Sequence, residues 1–330
     1  MMRRRDFITM LGGAAATWPL AARAQQPALP VVGHLSGRSQ HDSLQLLPAF
    51  RQGLKEVGFV EGRNVAIEYR WGENQSDRLP ALAADLVRQR VTVIAANDGP
   101  SAQAAKAAKA ATATIPIVFE TASDPVEVGL VGSLNRPGSN LTGVTTLAAE
   151  LGPKRLELLH EMVPAATIIA LLMNPTFPNA DILSRDLQAA ARTLGVQLHF
   201  LYATTERDFD TVFTTLVQLR VGALAIAPAT SFTSRSEQLA GLTLHHAVPT
   251  IFQYRAFAAA GGLMSYGSNI TDAYRLVGVY TGRVLKGEKP ADLPVQQTTK
   301  AELIINLKTA KGLRLSVPPA LLARADEVIE

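Results

Sequence analysis

From Pro30 onward, short apolar runs alternate with longer stretches in which apolar positions recur every three or four residues. Runs of four to eight β-branched and aliphatic residues read as strands buried on both faces, and the 3.6-residue period reads as helices that cover them. That alternation predicts an α/β fold with parallel sheets. The first strands are Val31–Ser36, 64–71, 91–96 and 115–120, with helices at 44–57, 78–90 and 101–112 between them. Gly58 ends the first helix, since glycine takes the left-handed conformation cheaply. Leu79, Leu82, Leu86 and Val87 form one stripe along the second. Asp124-Pro125-Val126-Glu127 places an N-cap acid before a proline and a glutamate, which predicts a helix running to Leu134. An extended segment at 141–146 follows.

A second series then repeats this grammar without repeating the sequence. Its helices are Gly152–Met162, 182–194, 209–219 and 234–245, and its strands are Ile168–Met173, Gln197–Tyr202, Ala223–Ile226 and Thr250–Phe252. A strand at 261–266, a helix at 269–285 and a last strand at 303–306 precede a C-terminal tail. The expected architecture is two doubly wound, Rossmann-like parallel-sheet lobes. The first takes residues 30–146 plus 262–290 and the second 147–261 plus 291–330.

The start of the chain changes the charge balance. Arg3, Arg4 and Arg5 lead through Asp6 and Phe7 into a small, apolar stretch that closes on Ala22-Arg23-Ala24. This is the layout of a twin-arginine export signal over residues 1–24, cleaved before Gln25. A membrane span needs about 20 apolar residues, and Pro19 interrupts a shorter run here. Those 24 residues hold four of the 32 basic and one of the 28 acidic residues, leaving 28 against 27, a net of +1. Such a balance argues against a nucleic-acid partner, which calls for a basic excess on one face. The chain has no cysteine, which excludes a lipid-anchored lipoprotein, a disulfide and a thiol nucleophile. The expectation is a monomeric periplasmic protein, soluble after cleavage.

Several stretches together resemble one family. They are the Arg-Arg-Asp-Phe-Ile start, Val65-Ala66-Ile67-Glu68-Tyr69-Arg70-Trp71, Arg78-Leu79-Pro80-Ala81-Leu82-Ala83, Asp124-Pro125-Val126, Leu151-Gly152-Pro153-Lys154-Arg155-Leu156, Gly261-Gly262-Leu263-Met264-Ser265-Tyr266-Gly267 and Val284-Leu285-Lys286-Gly287-Glu288-Lys289-Pro290. Across the whole chain the sequence resembles ABC transporter substrate-binding proteins with a type I periplasmic-binding-protein fold. The resemblance implies lobes joined by three crossover strands, near 142–147, 261–267 and 294–300. It also implies an interlobe ligand, an amino acid or aromatic carboxylate, and an ABC permease as partner. The loop Asn97-Asp98-Gly99-Pro100 departs from the Gly/Thr-rich turn usual in such proteins.

Independently of the family, ligands in open parallel sheets bind beyond the carboxyl ends of the strands, where helix N-termini offer free N–H groups. That rule selects Ser36, Gly37, Asn97, Asp98, Gly99, Thr121, Ala122 and Ser123 in the first lobe. In the second it selects Asn174, Pro175, Thr176, Ala229, Thr230, Tyr254 and Arg255, with Thr145, Thr146 and Ser265 on the crossings. Ser36, Thr121 and Ser123 could hold a carboxylate, against the alternative of turn formation. Asp98 could receive an ammonium, Arg255 could fork onto a carboxylate, and Trp71, with Tyr69 two residues before it, could stack on an aromatic ligand, against the alternatives of a turn at Asn97-Asp98-Gly99-Pro100, a solvated loop arginine and strand packing.

No cofactor is expected. The six histidines lack metal-ligand spacing, and no phosphate loop, dinucleotide fingerprint or nucleophile elbow occurs. Two alternatives stay open, a ligand-binding sensory module that signals through a receptor and an exported hydrolase. A sugar ligand is disfavoured because only Trp71 remains for stacking after cleavage.

Overall fold

The computed structural model describes residues 29–108, 114–177, 180–298 and 300–330. The expected export signal at 1–24 and the predicted end of helix 101–112 lie outside the described residues. The first lobe begins with β1 (Val31–Ser36), α1 (Leu47–Glu56), β2 (Ala66–Trp71), α2 (Leu79–Arg88), β3 (Val93–Ala96), α3 (Gly99–Ala108), β4 (Ile117–Thr121) and β5 (Leu141–Thr145). The second follows as α4 (Gly152–Met162), β6 (Ile168–Met173), α5 (Ala180–Leu194), β7 (Gln197–Tyr202), α6 (Phe209–Gln218), β8 (Ala223–Ile226), α7 (Thr230–Thr233), α8 (Ser236–His245), β9 (Thr250–Phe252), α9 (Arg255–Ala259) and β10 (Met264–Ser268). The chain returns to the first lobe as α10 (Ile270–Leu285) and β11 (Gln296–Gln297), then ends in the second as β12 (Ala301–Asn306), α11 (Leu307–Gly312), α12 (Pro319–Arg324) and β13 (Glu327–Ile329).

The six-stranded sheet has the order β11-β5-β4-β3-β1-β2, all parallel, and the seven-stranded sheet the order β13-β12-β10-β9-β8-β6-β7. In the latter only the β10/β12 pair is antiparallel. The period of two along each strand divides each lobe into two cores. Val32, Val93, Ala95, Val118 and Val144 pack under α1 and α10, whereas Leu35, Ile94, Ala96, Ile117 and Phe119 pack under α2 and α3. Backbones come close where α10 crosses α1: a Cβ on Gly53 would fall 1.8 Å from the Arg275 carbonyl oxygen, and one on Gly278 2.1 Å from that of Phe50. The returning helix is thereby locked onto the first lobe.

Three expectations change. The helix predicted from Asp124 to Leu134 is a series of turns. Its cap exists, since Asp124 Oδ1 accepts from Val126 N at 2.7 Å, but Gly129 turns left-handed at φ +67° and Leu130 N and Val131 N both donate to the Pro125 carbonyl. The C-terminal tail carries two short helices and the edge strand β13. The strand β11 lies within the crossover near 294–300 that the resemblance implies, although two glutamines carry no apolar pattern of their own. Finally, β10 belongs to the second sheet and β11 to the first, so the segments 262–290 and 291–330 each divide between the lobes.

The crossings therefore lie between Thr145 and Gly152, between Ser268 and Ile270, and between Gln297 and Ala301. Ser268 gathers all three, its Oγ lying 3.0 Å from the Thr146 carbonyl and 3.3 Å from that of Thr298. The buried Arg155 of α4 braces them from below, donating to the Ala148 and Tyr266 carbonyls at 2.6 and 3.4 Å.

Candidate ligand-binding site

The carboxyl ends of both sheets face one another across a cleft. Its inner part is lined from the first lobe by Arg38, Asp98, Glu120 and Ser123, and from the second by Phe177, Thr230, Gln253 and Tyr254. Outward it opens, past Pro100, Phe177 and Thr230, into a cavity of about 300 Å³ bordered by Asn74, Ser76, Asn174 and Thr204. The inner end is charged, and the outer end is polar with a single carboxylate, Asp77, on its border.

At the inner end Asp98 does structural work with both oxygens. Oδ1 accepts from Ser101 N at 2.8 Å and caps α3, while Oδ2 accepts from Gly37 N at 2.6 Å and Ser36 Oγ at 3.1 Å. A Cβ on Gly37 would sit tightly against Asp98 Oδ1, at 3.3 Å. Arg38 is buried beside this carboxylate, donating from Nε to Tyr274 Oη at 3.3 Å and from Nη1 across the cleft to Ser234 Oγ at 3.2 Å. Burial opposes its charge, yet Tyr274 and Asp98 hold its pKa above the ordinary arginine value. Glu120 is 4 % exposed and its Oε1 has no hydrogen-bond partner. Burial pushes its pKa up to about 8, with Arg38 opposing and Asp98 adding to the rise. Gln253 Oε1 and Asn97 Oδ1 are buried and unpartnered as well. The inner end thus holds more acceptors than donors around one fixed cation.

Of the residues selected by sequence, Asp98, Gly99, Thr121, Ala122, Ser123, Ala229, Thr230 and Tyr254 line the inner cleft, and Gly37, Asn174 and Thr176 line its outer part. Ser36 stands behind Asp98. The buried Asn97 accepts Tyr274 Oη on its carbonyl at 2.7 Å. Pro175 lies in the turn where Asn174 Oδ1 accepts from Thr176 N at 2.9 Å, and it lines neither part. Thr145 Oγ1 bonds the Ser123 carbonyl at 3.0 Å and, with Thr146, serves the crossing. Ser265 is buried within β10 with its hydroxyl unpartnered.

Two residues are placed elsewhere. Trp71 lies on Tyr69, ring centroids 5.6 Å apart and nearly parallel, and against His34 at 4.9 Å, as packing on the first lobe. Arg255 spends its fork on Glu327 at 2.6 and 2.7 Å rather than facing the inner cleft.

The strand-end rule missed Arg38, Glu120, Gln253 and Tyr274. Arg38 lies one residue beyond the Ser36-Gly37 pair that the rule selected. Glu120 carried a visible signal, being the only charged residue in the buried run Ile-Val-Phe-Glu-Thr. Tyr274 comes from α10, and nothing local to its sequence points to the cleft.

Among the described residues, no group of three or more His, Asp or Glu side chains is placed to hold a metal ion, and no helix is long and apolar enough to cross a membrane. The sequence model of a family described as ABC transporter substrate binding protein matches residues 38–329. A tyrosine-binding protein of Clostridioides difficile (strain R20291) is 27 % identical over 292 residues, which cover 87 % of this chain and 83 % of that protein. Among solved structures, the ABC domain in complex with L-Trp from Streptococcus pneumonia superposes with a TM-score of 0.81 at 23 % identity, over 92 % of this chain and 100 % of that one. The ligand-free, open structure of a substrate-binding protein with adhesive properties from Clostridium difficile gives 0.64 at 24 % identity, over 91 % and 99 %. These likenesses place the two lobes in the type I periplasmic-binding arrangement.

Proposed function

The chain belongs to the ABC transporter substrate-binding protein family, and from that premise we propose that it is the exported capture component of an ABC import system, taking an amino acid or aromatic carboxylate between its lobes in the periplasm. The observation that carries the ligand class is the buried Arg38 at the inner cleft, a fixed cation beside hydroxyl-bearing strand ends. A guanidinium matches a carboxylate in shape and charge, and burial removes the water that competes with it. An aromatic side chain then extends past Phe177 into the outer cavity. The tyrosine-binding relative supports the same class.

Closure about the three crossings brings Ser234 to Arg38 and forms one surface spanning both lobes, which is what a permease can recognise. The ligand drives closure only as far as it binds the closed form more tightly. Twin-arginine export of residues 1–24 delivers the protein to the compartment where this capture takes place.

A thermal-shift screen of amino acids, aromatic acids and sugars tests the reading. A ligand at 100 times its Kd stabilises by about 2.7 kcal/mol, so L-tyrosine, L-tryptophan or an aromatic acid is expected to raise Tm. Stabilisation by sugars alone overturns it. Deletion of the gene is expected to abolish uptake of the same compound, and unchanged uptake removes the import role.

A further inference from the structure

We infer that Glu120, rather than Asp98, receives the ammonium group of the ligand, so that the pocket selects α-amino acids over carboxylates that lack the amine. This rests on the amino-acid reading above and deepens it. Asp98 is the acid that the strand-end rule brings to the cleft, but its two oxygens already accept three donors, Ser36 Oγ, Gly37 N and Ser101 N. Turning either oxygen toward a ligand would uncap α3 or free the turn after β1. Glu120 has no such duties: it lies at the inner end of the cleft, nine-tenths and more buried, with Oε1 unpartnered.

A buried carboxyl without a partner is costly, and such a group persists where something else completes it. The surroundings indicate what completes this one. Gln253 lines the same inner cleft and its Oε1 is also a buried acceptor without a donor. An ammonium brings three donors and a positive charge to that side, while Arg38 takes the carboxylate at the other. A zwitterion then meets an opposite charge at both ends.

The groups facing Glu120 come from four elements. They are Arg38 after β1, Asp98 after β3, Tyr254 after β9 and Tyr274 on α10. The neighbouring strand β5, Leu-Thr-Gly-Val-Thr, adds no titratable side chain. Burial leaves Glu120 holding its proton up to about pH 8 in the unliganded pocket. An ammonium requires the ionised form, so capture releases that proton to solvent. With the competent form only partly populated, the apparent Kd of an amino acid rises about tenfold for each pH unit below 8.

Calorimetric titration of the processed chain with L-tyrosine, L-tryptophan and the des-amino acid 3-(4-hydroxyphenyl)propionate, at pH 6, 7 and 8 in two buffers of different ionisation enthalpy, tests this. Amino-acid affinity is expected to fall about tenfold per unit toward pH 6 and to release close to one proton per ligand at pH 7. Glu120→Gln is expected to lose ten- to hundredfold in amino-acid affinity at pH 8, while binding of the des-amino acid does not weaken. Amino acids that bind without proton release, or equally well to Glu120→Gln, overturn the inference and leave the proposed function standing. Binding of the des-amino acid alone overturns the inference and the amino-acid half of that function. Binding of none of the three removes both. Should the variant not fold, proton release by the unsubstituted protein decides.

Discussion

Arg235 in the second lobe grips Asp42 in the first, its Nη1 3.1 Å from Oδ1 and 3.3 Å from Oδ2. Asn74 donates to the same carboxylate at 2.8 Å, and Arg235 also pairs with Glu206 of its own lobe. Burial works against the Asp42 charge, but Asn74, Ser39 and Arg235 outweigh it and hold the pKa below the usual 3.8. In the closure proposed above, this pair is a latch on the closed form.

The latch is weak enough to open. Arg235 is 31 % exposed, so the pair belongs near the surface-bridge range of up to about 1 kcal/mol. Arg235→Ala is expected to lower ligand affinity by about fivefold at most, through faster dissociation, and to expand the unliganded protein in small-angle scattering. The sign of the pH effect follows from the lowered pKa. The gain is fully present above the ordinary carboxylate value of 3.8 and is lost only as pH falls through the lowered value. The loss in Arg235→Ala should therefore be equal at pH 6 and pH 8, and a loss that changes between them removes the latch.

Arg38 and Glu120 separate by ligand. Arg38→Met removes the cation beside Asp98 and the bond to Ser234. Tyrosine and its des-amino counterpart should both lose at least about a hundredfold in affinity, in line with the 3–5 kcal/mol attached to breaking a buried ionic arrangement. Arg38→Lys restores the charge but not the fork and recovers only part of the loss. Des-amino binding that survives Arg38→Met would place the carboxylate elsewhere.

Legibility in the sequence followed how local the cause was. Strands such as Ile168–Met173 and the helix Gly152–Met162 carry their own apolar period and lie where the pattern predicts. The segment after Asp124 has a genuine cap, but a cap starts a helix without sustaining it, and Gly129 ends the turn. Trp71 ends its strand where the rule sought a ligand contact. Which way it faces was decided by His34 on the neighbouring strand and Tyr69 two residues earlier. Asp98 was legible as either a turn residue or an ammonium acceptor, and the three donors that occupy it come from two segments about 60 residues apart, a relationship its local sequence does not carry. Lobe membership of β10 and β11 depends on which sheet edge is free, a property no single segment encodes.

The helix pair that returns the chain to the first lobe gives a stability test with a built-in contrast. A methyl on Gly278 would fall 2.1 Å from the Phe50 carbonyl oxygen, and neither helix backbone can move without disturbing the core beneath. Gly278→Ala is expected to destabilise by about 1–3 kcal/mol, lowering Tm by about 2–4 °C per kcal/mol. Gly241, exposed on α8, has nothing within 4 Å of the corresponding position. Gly241→Ala should stabilise by about 0.5–1 kcal/mol through the helix backbone alone. Equal effects from the two would contradict the close crossing.

The pH profile of folding should carry opposed signatures from His34 and Glu120. His34 is 1 % exposed among Phe50, Tyr69 and Trp71, with both ring nitrogens unpartnered. Burial above all lowers its pKa from 6.5 to about 3. Below pH 6.5 the unfolded chain takes up a proton that the folded one refuses, so stability is full above 6.5 and is lost toward pH 3. Glu120 runs the other way. Its folded value near 8 stands above the 4.5 of the unfolded chain, so its contribution is full below 4.5 and lost as pH rises to 8. Each slope reaches about 1.4 kcal/mol per pH unit, and between 4.5 and 6.5 the two cancel. Urea denaturation of the unliganded protein against Glu120→Gln and His34→Phe isolates them. Glu120→Gln should be more stable than the unsubstituted chain at pH 8, with the difference shrinking toward pH 5, and His34→Phe should gain relative stability below pH 6. A Glu120→Gln protein no more stable at pH 8 would mean that the carboxyl is already satisfied without a ligand.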